Sequence, residues 1–120
     1  MPIGKQNKIE LIDALERAKA KAHRLALTLR FKRRETEAGE VAARARKLSR
    51  RVDGLLAAAM DEWTGSAAVY KKRLAHTNSR LQRAIREVEK DTDIAENVIK
   101  AVALLDAVLQ TVSEFFPSRA

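Results

Sequence analysis

Chemistry needs reactive side chains at matched spacing, and this chain offers few. Its two histidines, His23 and His76, have Lys19 and Leu27, and Lys72 and Arg80, as their i±4 neighbours. Neither spacing supplies a second ligand for a metal on one helix face. There is no cysteine, so thiolate metal sites and disulfides are excluded. Asp61-Glu62 beside Trp63 are adjacent residues, which on a helix point in different directions and read as surface charge near a turn. No glycine-rich phosphate loop, nucleophile elbow or metalloprotease helix motif occurs. The expectation is a protein that is not an enzyme, with no catalytic residue, metal or cofactor.

What the sequence does carry is positive charge. The stretch Arg17 to Arg51 has a net +10, and a second basic group follows at Lys71, Lys72, Arg73, Arg80, Arg83 and Arg86. Such charge suits phosphate groups, an anionic surface or an acidic protein partner. Arg33, Arg34, Arg50 and Arg51 are the candidate polyanion contacts. No nucleic-acid recognition motif accompanies them, and Phe31 is the one aromatic in the first basic stretch. The alternative reading of the same charge is a solvated helix surface. The segment Asp91 to Phe116 is acidic, at −4, which favours antiparallel packing against the basic helices.

The elements that position these charges are helices. With 46% hydrophobic and 33% charged residues, 4% aromatics, four glycines and two prolines, the 120-residue chain suits one all-α domain. Leu11, Leu15, Ala18, Ala22, Leu25 and Leu29 line one helix face, and Ile9, Ile12 and Phe31 widen it. Asn7 and Glu10 have capping-box spacing. A second register, Val41, Ala45, Leu48, Val52, Leu55 and Ala59, is broadened by Leu56, Met60 and Trp63 and runs two residues out of phase with the first. The slip, about 200° around a helix, predicts a turn or kink near Thr36 to Gly39. A third register holds from Ala67 through Tyr70, Leu74, Thr77, Leu81, Ala84, Val88, Asp91, Ala95, Val98, Val102, Leu105, Leu109 and Val112 to Phe116, and Pro117 ends it. Lys90-Asp91-Thr92-Asp93, with Glu96 three residues on, reads as a helix restart. The unbroken phase outweighs it. Helices are therefore expected near 7–34, 40–63 and 66–116, the last interruptible at Asp91.

Many seam positions are alanine, which buries little area per helix. A second helical chain, in a homo- or heterodimer, is expected to cover the seam Leu74, Leu81, Val88, Val98, Leu105 and Val112. A monomeric bundle closed by the N-terminal helix is the alternative. No apolar run reaches the roughly 20 residues of a membrane span, and residues 1–8 lack the apolar core of a secretory signal.

Trp63-Thr64-Gly65-Ser66 separates the second and third registers. Trp63 is a large anchor, Gly65 can take φ > 0 and Ser66 is a good N-cap. A Trp-x-Gly between two amphipathic helices resembles the WXG (early-secreted-antigen-like) family of type VII secretion. The resemblance runs from about Val41 to Phe116. It implies a helical hairpin with Trp63 and Gly65 at its bend, which dimerises into a four-helix bundle. It further implies export without a cleaved signal peptide, or escort of another substrate. Two departures stand against it. No tyrosine follows Tyr70, so the family's Tyr-x-x-x-Asp/Glu export signal is missing, and the helix before Val41 is extra. Three functions remain open on sequence: a type VII substrate or escort acting by pairing, a basic module binding nucleic acid or another polyanion, and a structural coiled-coil subunit. Trp63 is expected to pack at the bend against Met60, Ala67 or a partner helix.

Overall fold

The structure, a computed structural model, describes residues 4–58 and 63–116. Among them are four helices and no strand: α1 (Lys5–Phe31), α2 (Glu35–Ala57), α3 (Ala67–Glu89) and α4 (Ile94–Phe115). The all-α expectation holds. Its subdivision changes.

The first phase slip is taken up by a tight turn at Lys32 to Arg34, a few residues before the expected Thr36 to Gly39. Arg33 adopts φ 61° there, and Arg34 N–H closes the turn on the Leu29 carbonyl at 2.8 Å. Gly39 sits inside α2. The third register is two helices. Asp91 and Asp93 both take left-handed backbone angles, φ 61° and 42°, which a helix interior cannot hold. Asp93 is the N-cap residue of α4 without a side-chain cap bond. Asn97 Nδ2 bonds the Thr92 and Asp93 carbonyls instead, at 2.9 and 3.2 Å. The restart resets the phase, so Asn97, Val98, Ala101, Leu105, Val108, Val112 and Phe115 face inward, while Ala95 is exposed and Val102 and Leu109 are half-buried. In α3, Asn78 is buried in place of Thr77.

Helix pairs α1/α2 and α3/α4 form antiparallel hairpins, and α1 also packs on α3 and α2 on α4. Cross-helix bonds give the directions. Lys71 reaches Glu10, Asn78 reaches the Ala14 carbonyl and Arg24 reaches Glu89, so α1 and α3 run parallel. The expected hairpin of 40–63 on 66–116 therefore does not form through α2 and α3, which stand diagonally. Trp63 to Ser66, the described residues that lead into α3, lie at the end of the bundle where α4 finishes. Ala59 and Met60, with Pro117 and the tail after it, lie outside the described residues.

Trp63 is 1% exposed and closes that end of the core. Its ring lies 5.7 and 6.3 Å from those of Phe115 and Phe116, with Lys8 Nζ at 5.0 Å, and Thr64 N–H donates to the Phe115 carbonyl at 3.0 Å. The connection turns at Gly65, φ 94°, and Ser66 Oγ accepts from Val69 N–H at 3.4 Å to start α3. A Cβ on Gly65 would land on the Tyr70 hydroxyl. Gly65→Ala is thus expected to lose about 2–4 kcal/mol in chemical denaturation, from left-handed strain and overpacking together. A loss below about 1 kcal/mol would show that the turn relaxes freely.

Candidate functional site

The pairing expectation rests on the seam residues. Leu74, Leu81, Val88, Leu105 and Val112 are fully buried and Val98 nearly so, all within this chain's own core. They pack beneath Leu11, Leu15, Leu25 and Leu48, in a cluster with both hairpins. The N-terminal hairpin α1/α2 supplies the cover that a second chain was expected to give.

The four candidate arginines do not form one surface. Arg33 is exposed in the α1–α2 turn, and Arg34 beside it pairs with Glu37 at 2.5 Å. Arg50 and Arg51 lie towards the opposite end of the bundle, roughly 25 Å along α2 at 1.5 Å per residue. There Arg51 donates to the Phe116 carbonyl at 2.5 Å and covers its ring at 5.8 Å. Burial draws the Arg51 guanidinium below its usual pKa. Arg50 borders a shallow recess with Lys47, Leu109 and Ser113. Two of the four side chains are thus committed to holding the fold.

A different set is brought together. Because α1 and α3 pack in parallel, their outward-leaning side chains face each other along a furrow of about 590 Å³. Arg17, Lys21, Lys71, Arg83 and Arg86 line it against a single carboxylate, Glu10, and Asn78, Ser79 and Gln82 add polar groups. At one end Lys71 Nζ donates to Glu10 Oε2 at 2.7 Å and to Asn7 Oδ1 at 2.9 Å. The two residues expected to cap α1 are thus spent on a cross-helix bond, and Gly4 is the N-cap residue. The bond and charge of Lys71 hold the Glu10 carboxyl below the usual glutamate pKa. Further along, Arg17, Lys21, Arg83 and Arg86 take no ion pair among the described residues. Beyond them Arg24 is neutralised by Glu89, with Nη2 to Oε2 at 2.7 Å. Four unneutralised cations along one furrow, with polar side chains between them, can hold a chain of phosphates.

In the sequence these cations fall into two separate basic groups. Arg17 and Lys21 each precede a buried α1 position, Ala18 and Ala22, and Arg86 sits one residue after buried Ile85. Those flanking positions mark a helix–helix groove only once α3 is known to be the neighbour of α1.

His23 and His76 are both exposed, on α1 and α3 respectively. No group of three His, Cys, Asp or Glu side chains among the described residues is arranged to hold a metal ion. Nor is any described helix long and apolar enough to cross a membrane. No known protein family matches the sequence, and neither a characterised protein nor a solved structure is significantly similar to it.

Proposed function

We propose that this chain is a nucleic-acid-binding helical bundle that lays a phosphate backbone along the α1–α3 furrow. The observation that carries the reading is the line of Arg17, Lys21, Arg83 and Arg86, unneutralised among the described residues and gathered from two helices into one concave strip. Exposed like charges repel, and a fold gains nothing from converging four of them. Converging them does raise the local potential for a polyanion and releases its counterions on binding. The overall charge of +8 adds long-range attraction.

Pairing or escort of the kind that the Trp63-Thr64-Gly65 resemblance implies would have to use some other face. The apolar seam is already spent inside the chain, and opening the bundle to share it would expose the whole core. The same holds for a coiled-coil subunit role.

The test is a titration with single-stranded and duplex oligonucleotides at low and physiological salt, beside sedimentation of the protein alone. A monomer whose affinity falls steeply with salt supports the proposal. A stable dimer that binds no nucleic acid even at low salt would overturn it and return the chain to pairing.

A further inference from the structure

Phe31 is the most exposed large hydrophobic among the described residues, at 81%, although the sequence places it as an extension of the core face of α1. Its position on the helix explains this. Arg17, Arg24 and Phe31 are spaced by sevens, so they follow one line down α1. That line borders the furrow, and Phe31 stands where it runs out, in the last turn of the helix. Arg30 and Arg33 flank it in sequence, both exposed. Leu27, one turn back, is 55% exposed and extends the apolar step. Across the end of the bundle Lys32 Nζ meets Asp91 Oδ1 at 2.6 Å, which ties the two turns together and fixes the platform.

We infer that the nucleic acid bound in the furrow is single-stranded and that an unpaired base stacks on Phe31. This rests on the reading of the furrow as a phosphate track. One feature selects a single strand. A duplex keeps its bases stacked on each other, and only an unpaired base offers its face to a side chain. A basic surface with a protruding aromatic also suits an anionic bilayer. Here, however, the unneutralised cations run away from Phe31 along a concave strip that a flat surface cannot enter, and one or two apolar side chains anchor a membrane weakly.

The experiment compares the full chain with Phe31→Ala, a change at an exposed site that leaves the core intact. The probes are a fluorescent single-stranded oligonucleotide, its duplex, and vesicles of phosphatidylserine and phosphatidylcholine. The single strand should bind more tightly than the duplex. Phe31→Ala should weaken it by about 5- to 100-fold while leaving the salt slope and the duplex affinity unchanged. A 2-aminopurine strand should show fluorescence quenching that the variant loses. Equal affinity for strand and duplex, both indifferent to Phe31→Ala, would overturn this inference and leave the phosphate track standing. Binding of neither nucleic acid would remove the track as well. Vesicle binding that depends on Phe31 while strand binding does not would assign the platform to a membrane and refute stacking.

Discussion

Trp63→Ala is expected to destabilise the bundle by about 3–5 kcal/mol, the range for truncating a fully buried aromatic. The side chain is 1% exposed and closes the end of the core beside the Phe115 and Phe116 rings. Its loss leaves Phe115 and Phe116 without their ring partner and Lys8 without the face it covers. Trp63→Phe should cost less, about 1–2 kcal/mol. It keeps a ring in the site and removes the indole N–H, a buried donor that finds no acceptor among the described residues. Denaturant titration of the three proteins measures both differences. As the chain has a single tryptophan, native emission should be blue-shifted and move to the red on unfolding. Emission of a fully hydrated indole in the native state, or a loss under about 1 kcal/mol for the alanine variant, would contradict this placement.

Periodicity made the helices legible, and within α1 it made the core legible too. All six residues of the first stripe, Leu11 to Leu29, are fully buried. It could not show which helices are neighbours. A stripe says that a face is covered but not by what, so the seam of α3 and α4 was readable as core and not as internal core. The break at Asp91 to Asp93 was written in the local residues. It was hidden because the phase on either side differs by only one position, and a one-residue offset still places leucines and valines near the inward face. The turn at Arg33 carries no signal of its own, since a left-handed arginine between two polar neighbours looks like any charged helix residue. Gly65 and Ser66 were legible because their roles are set by backbone chemistry within a few residues. The furrow was not, because its cations come from helices about sixty residues apart in the chain and converge only through the parallel packing of α1 on α3.

Replacing Arg17, Lys21, Arg83 and Arg86 together with glutamine should reduce single-strand affinity by roughly 10²-fold at physiological salt. Each phosphate contact on a single strand contributes about −0.7 to the slope of log K against log salt. Losing four should flatten that slope by about 3, which amounts to about two decades between 0.15 M and a 1 M reference. Stability should change by less than about 1 kcal/mol, since these side chains take no ion pair among the described residues and their mutual repulsion is relieved. The informative control is the same substitution of Arg33, Arg34, Arg50 and Arg51, which removes the same net charge from other places. There Arg34 and Arg51 are engaged with Glu37 and the Phe116 carbonyl, so stability should fall while most of the affinity remains. The comparison separates a site from a charge. If both quadruple variants lose affinity and slope equally, attraction depends on net charge alone and the furrow has no special role. If only the first does, phosphates are held where α1 and α3 bring their cations together.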